Sequence, residues 1–183
     1  MKSAIYLTMC ILLASMMSCS SAGKKEKDGT MIVNQDSVTD KGLQCMQRSE
    51  AKASFEYKGK KYESLVVRRP DETLPVVTNE QGERYADNRI RLRLTCEGKT
   101  VVDKEFTKED FAGQVDAKFL KHAILEGMVY DKTSSAGILY AASVCYPQTD
   151  LYMPLRLTIT ANGNISIVRE ELMEDLYEEE KGE

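Results

Sequence analysis

The sequence predicts a mostly β fold: an antiparallel sandwich, or a curved sheet closing on itself, of seven to eight strands with one or two short helices. Apolar and polar residues alternate with period two through most of the stretch from Leu43 to Val168, the signature of strands with one buried face. Glycine-containing turns punctuate the alternating runs at Gly59, at Glu97-Gly98-Lys99 and at Ala161-Asn-Gly163. Hydrophobic residues at 42% and charged ones at 30% give the balance of an ordinary soluble domain, enough to build one core.

At the N-terminus, Met1-Lys2 precede an apolar run ending at Ala14, then Ser15-Met-Met-Ser-Cys19. One positive charge, an apolar core of about ten residues and a small residue before a cysteine form the pattern of an export signal. Residues 3–23 carry no charge, a length that also suits a membrane anchor. Thr8, Ser15, Ser18, Ser20 and Ser21 dilute that run, however, and lipidation at Cys10 would leave bulky Met9 at the cut. Residues 1–18 are therefore expected to be a signal peptide, removed before Cys19. Cys19 is the expected lipidation site, and its acyl chains (palmitate among them) make a membrane the first partner, outside the cytoplasm.

Residues 19–41 read as a lipidated flexible tether. Ser20-Ser-Ala-Gly-Lys-Lys-Glu-Lys-Asp-Gly29 is small and charged and offers nothing for a core. Residues 42–169 form the β-rich domain, expected to be monomeric, and 170–183 an acidic tail. The tail holds eight acids against Lys181, while Cys19–Arg169 has 23 Lys and Arg against 21 Asp and Glu. A nearly neutral domain without a basic block excludes nucleic acid as a partner. Within the tail, Leu172, Met173, Leu176 and Tyr177 have the spacing of a short amphipathic helix, or the segment is an interaction tail.

Strands are expected at 53–57 and 61–67, paired around Gly59, then at 89–96, 100–106, 123–130, 138–146, 151–160 and 164–168. In Arg89-Ile-Arg-Leu-Arg-Leu-Thr-Cys96 the apolar side chains share one face and the arginines the other. Keeping the apolar faces together across the next turn pairs Leu94 with Val102 and Ile90 with Phe106. It also sets Arg93 opposite Asp103 and Arg91 opposite Glu105. A plain two-residue loop would put charges opposite the core face, so an odd loop or a bulge is required. These cross-strand carboxylates make the arginine row structural rather than a polyanion grip. The final hairpin obeys the same parity: Asn162-Gly163 suggests a two-residue turn, but only a three-residue loop with left-handed Gly163 opposes Ile159 to Ile165 and Leu157 to Ile167. Pro154 points to an edge or a bulge early in its strand. Thr107-Lys-Glu-Asp110 offers a helix cap before Phe111, and 116–121 a second helical turn.

Several phrases resemble a family of small Bacteroidales-type lipoproteins classed as a domain of unknown function. They are Asp87-Asn88, Phe106-Thr-Lys-Glu-Asp-Phe111, Ile124-Leu-Glu-Gly-Met-Val-Tyr-Asp131 and Ser143-Val-Cys-Tyr-Pro-Gln-Thr-Asp-Leu-Tyr-Met-Pro-Leu155. The resemblance covers residues 51–169. It implies a β-rich domain behind a lipid tether in a Gram-negative envelope, with the outer membrane the expected location, and it supplies no activity and no site residue.

No catalytic motif stands out. His122 is the single histidine, there is no Gly-x-Ser-x-Gly elbow, and Ser134-Ser-Ala-Gly137 is a loop. Cys45, Cys96 and Cys145 allow one disulfide in three ways or remain free, without a CxxC or a Cys/His spacing. Neither a metal site nor a cofactor is expected, and no residue is assigned as catalytic. Two function classes remain. The first is a non-enzymatic envelope module binding a protein or glycan, although the absence of Trp weakens the glycan reading. The second is an extracytoplasmic hydrolase using carboxylates from among Glu126, Asp131 and Asp150. The candidate contact segment is Tyr146-Pro-Gln-Thr-Asp-Leu-Tyr152, with Tyr146, Gln148, Asp150 and Tyr152 as candidate ligand-binding residues. Its structural alternative is a rigid turn in which Pro147 fixes the backbone, Asp150 caps and both Tyr rings pack. The lipid anchor is testable directly. Cys19→Ala is expected to abolish incorporation of labelled fatty acid and partition into detergent; labelling that persists would move the anchor elsewhere.

Overall fold

The computed structural model describes residues 37–170. The expected signal peptide, Cys19, most of the tether and all but the first residue of the tail lie outside them. Ser37–Lys41, assigned by composition to the tether, belong to the described part and begin with strand β1 (Ser37–Val38).

Over the described residues the fold is mostly β and sandwich-like, with twelve strands rather than the seven or eight expected. Eight long strands build two four-stranded antiparallel sheets, with orders β3-β4-β7-β8 and β12-β11-β10-β9. These are β3 (Ser49–Tyr57), β4 (Lys60–Pro70), β7 (Asn88–Cys96), β8 (Lys99–Phe106), β9 (Ile124–Thr133), β10 (Ile138–Cys145), β11 (Tyr152–Ile159) and β12 (Ile165–Arg169). They correspond to the eight alternating runs. The other four are only two residues long: β1, β2 (Gln44–Cys45), β5 (Val77–Thr78) and β6 (Arg84–Tyr85). They form a third small sheet, order β1-β2-β6-β5, in which β2 and β6 run parallel. Two residues hold one alternation at most, so such strands leave no periodic signal.

Between β8 and β9 lie a 3-10 turn, Lys108–Phe111, and the helix α1, Ala117–His122. The first starts at the cap read from the sequence, and the second overlaps the helical turn expected at 116–121. Thr107 and Asp110 form a reciprocal capping box, and the Asp116 carboxylate accepts from the backbone N–H of Lys118 and Phe119.

Register follows the parity of the apolar residues. Leu94 pairs with Val102 and Ile90 with Phe106. The turn itself has two residues, Glu97 and Gly98, both with positive φ (49° and 79°). A bulge at Val101 then shifts the register by one between Thr95 and Leu94, returning the apolar side chains to one face. The last hairpin pairs Ile159 with Ile165 and Leu157 with Ile167 around the three-residue loop, with Gly163 at φ +82°. A Cβ on Gly163 would also sit 2.7 Å from the Val101 carbonyl oxygen, so only glycine suits both the turn and the close approach. That approach seats the β11–β12 turn on β8. On the other flank, Phe55 of β3 stacks on Tyr130 of β9 at 4.0 Å, so contacts join the two sheets at both edges. Pro154 lies in a central strand rather than at an edge. Its carbonyl accepts from Glu170 N–H just beyond the last paired residue of β12, so no ladder donor is lost on that side.

Ile90, Leu92, Leu94 and Phe106 from one sheet meet Tyr140, Leu155, Leu157 and Ile159 from the other in one fully buried core. Outside, Arg91 lies opposite Glu105 in register, yet its guanidinium takes Asp103 bidentately, at 2.7 and 2.8 Å. The diagonal partner wins because it fits the planar fork. Glu105 goes instead to Arg69 at 3.1 Å and Arg89 at 3.6 Å. The two faces must therefore respond unequally to truncation. Leu92→Ala and Leu94→Ala should each cost about 2–5 kcal/mol. Arg91→Ala, with its side chain 55% exposed, should cost far less than either leucine variant, and less still in high salt. Denaturant melts at two salt concentrations measure both; an arginine variant as damaging as a leucine variant would mean the ladder is more than surface.

Candidate functional site

The site begins where β7 and β9 begin. Asp87 and Asn88 are buried there, and both tie the first sheet to the second. One Asp87 oxygen accepts from the backbone N–H of Asn88 (2.7 Å) and of Leu125 (2.8 Å). The other lies 3.4 Å from the buried Lys108 ammonium, which also donates to the Ala123 carbonyl at 2.8 Å. The Asn88 amide donates to the Leu125 carbonyl (2.9 Å) and to Met46 Sδ (3.4 Å). Burial pushes the Asp87 carboxyl above the usual carboxylate range, while the Leu125 N–H and the Lys108 charge pull it down. The cluster is structural: its bonds to Leu125, Ala123 and Met46 join segments, and only the buried Asn88 Oδ1 has no partner among the described residues.

One residue further along β9 the ladder breaks. Val144 pairs with Leu125 and Ser143 with Gly127, leaving Glu126 as an extra, bulged residue. Its carbonyl accepts from Arg68 Nη1 at 2.6 Å, and Arg68 Nη2 donates to the Gln47 carbonyl at 3.1 Å. Its carboxylate accepts from Ser143 Oγ at 2.8 Å. The bulge aims Glu126 at a pocket of about 230 Å³ between the small sheet and the β10–β11 loop. Gln44, Cys45, Met46, Tyr85 and Ala86 form one wall; Pro147, Gln148, Thr149 and Asp150 form the other; Ile124, Glu126 and Cys145 complete it.

The loop wall is held in one shape. Gln148 sits in the left-handed region at φ 57°, and its side-chain amide donates to the Gln44 side-chain oxygen at 2.7 Å. Thr149, not Asp150, caps the turn: its hydroxyl donates to the Tyr146 carbonyl at 3.0 Å and accepts from Leu151 N–H at 3.1 Å. Tyr146 packs away from the pocket, stacked on Phe119 at 4.5 Å and edge-on to His122. Tyr152 starts β11 and is 45% exposed. Of the four candidate ligand-binding residues, the pocket thus gathers Gln148 and Asp150; Tyr146 is a packing residue, and Tyr152 stands outside beside exposed Leu151.

The three carboxylates divide similarly. Glu126 and Asp150 line the same pocket, whereas Asp131 sits at the second bulge of β9, next to Lys132 at 3.7 Å. Cys145 is no nucleophile. Burial, helped by the adjacent Glu126 charge, pushes its thiol up to about 12, far from the thiolate form that reacts. Cys45, Cys96 and Cys145 are free thiols. His122 is exposed and its ring Nδ1 lies 3.2 Å from the Thr78 carbonyl. Among the described residues, no three His, Cys, Asp or Glu side chains form a group that could hold a metal ion. Gln44, Met46 and Tyr85 escape sequence reading because they ride on or beside two-residue strands; the Asp87-Asn88 phrase was the available signal for this end of the molecule.

A two-sheet β domain with a small third sheet and a loop-walled pocket between them defines the class. The chain belongs to the family described as Domain of unknown function (DUF4738), which it matches over residues 28–167. No curated protein matches it.

Proposed function

We propose that this chain is a non-enzymatic binding module of the bacterial cell envelope, tethered to the outer membrane of a Gram-negative cell by lipid on Cys19. Its contact region is the β10–β11 loop with the pocket behind it. The observation that carries this reading is the preformed shape of that loop. A non-glycine residue, Gln148, is held at positive φ and locked to Gln44, a local strain that costs of order 1–3 kcal/mol and persists only where neighbours enforce it. The same loop presents Leu151 at 58% and Tyr152 at 45% exposure, side by side. A rigid loop pairing apolar and aromatic side chains with a polar recess suits a protein segment or a glycan, since little ordering entropy remains to be lost on binding.

Against catalysis stands the use already made of Glu126, whose carboxylate is engaged by Ser143. A hydrolase reading keeps Glu126 and Asp150 as its pair and loses Asp131.

A photo-reactive phenylalanine analogue at Leu151, in the full chain expressed with its signal, tests the module. A discrete adduct with one envelope component is expected, weakened when Gln148→Gly relaxes the loop. An adduct yield no greater than from the same analogue at Lys99, the first residue of β8 beside the Glu97-Gly98 turn, would remove the loop as the contact region.

A further inference from the structure

The outer face of the β3-β4-β7-β8 sheet is not uniformly polar. Leu65 and Val67 of β4 point outward, half-buried, and floor a groove of about 450 Å³. In register, Leu65 lies between Lys52 of β3 and Arg93 of β7, and Val67 between Glu50 and Arg91. Long charged side chains therefore stand on both sides of an apolar strip. The two walls are two strand spacings apart, about 10 Å, close to the diameter of one helix with its side chains.

The walls carry more positive charge than their own acids meet. Glu50 is shared by Arg48 at 3.3 Å and Lys52 at 2.9 Å. Arg93 faces Asp103 in the register, but the Arg91 fork takes that carboxylate. Arg93 is left without an ion pair among the described residues. Leu65 and Arg93 also line the adjoining recess of about 610 Å³, together with Ser54 and Thr95, so the groove continues past the unpaired guanidinium. A bilayer surface suits this face poorly, because Glu50, Glu63 and Glu105 stand on it too and the apolar side chains are recessed. A narrow occupant with carboxylates along its edges reaches floor and walls together.

We infer that the groove takes an acidic amphipathic helix of a partner protein, its apolar stripe on Leu65 and Val67 and its flanking carboxylates on Arg93, Lys52 and Arg48. Apolar anchors on the floor set the position of such a helix, and the unspent Arg93 charge selects against a basic one. This contact belongs to the first sheet and is independent of the β10–β11 loop, which joins two strands of the second.

Fluorescence anisotropy of labelled synthetic helices, titrated with the full chain, tests this. One helix carries leucines at i, i+3, i+4 and i+7 flanked by glutamates; a second has lysines in place of the glutamates, and a third serines in place of the leucines. The first should bind, and the other two at least about tenfold more weakly. Leu65→Ser should weaken the first helix about tenfold, and so should Lys52→Glu with Arg93→Glu, which should at the same time gain the lysine helix. That gain shows the double variant to be folded. Binding of the serine or lysine helix by the parent chain as tight as that of the first, or indifference of the first to these substitutions, would overturn the inference. No binding of the first helix, with Lys52→Glu and Arg93→Glu instead releasing the Cys19→Ala chain from phosphatidylglycerol vesicles, would overturn it in favour of a membrane.

Discussion

Two sheets can be stacked face to face in many relative positions if only apolar contact holds them, because hydrophobic burial is non-directional. Here a buried polar cluster chooses one. Asp87 and Asn88, entering β7, reach across to the backbone of Leu125 in β9, and Lys108, on the connection from β8, closes the cluster from the third side. Each contact has one satisfying geometry, so together they set where β9 begins relative to β7. The cost of removing a carboxylate and an ammonium from water is offset by their pairing with each other and with the Asn88 and Leu125 N–H groups and the Ala123 carbonyl. Hydrophobic packing supplies most of the stability; this cluster supplies the alignment.

The pocket follows from that alignment. With Leu125 anchored, the bulge at Glu126 turns one carboxylate out of the core ladder toward the small sheet, and Arg68 braces the bulge through its carbonyl. Met46, touching Asn88, ties the wall that carries Gln44 to the same cluster. Gln44 in turn holds Gln148. A continuous path of contacts therefore runs from the sheet junction to the tip of the exposed loop and ties its shape to the sheets. Bulges commonly re-aim side chains at sheet ends, and this one connects the fold to its proposed contact region.

Much of this was legible from local pattern. The eight long strands, both hairpin registers, the cap at Thr107 and the helical turn at 116–121 depend on residues within a few positions of one another, and parity of the apolar side chains decided between turn lengths where the Asn-Gly dipeptide alone misled. Arg91 shows the limit: register was readable, but the choice of Asp103 over Glu105 depends on side-chain reach. The small sheet was not legible, since β2 meets β6 across about forty residues in a parallel pair and neither strand is long enough to alternate. The same holds for the pocket. Its loop wall came from turn composition, whereas Gln44, Met46 and Tyr85 are brought there only by tertiary structure, and Thr149 took the capping role that Asp150 could equally have filled.

A double-mutant cycle on Asp87 and Lys108 reaches the central claim most directly. Equilibrium unfolding of Asp87→Ala, Lys108→Met and the double variant measures how far the two side chains act as one unit. Each single variant should cost about 3–5 kcal/mol, because it leaves a buried group without its partner, with Asp87→Ala the larger since it also strips two backbone N–H groups. The double variant should cost clearly less than the sum. Additive losses, or an Asp87→Ala protein within about 1 kcal/mol of the parent, would mean that the sheets are aligned by apolar packing alone.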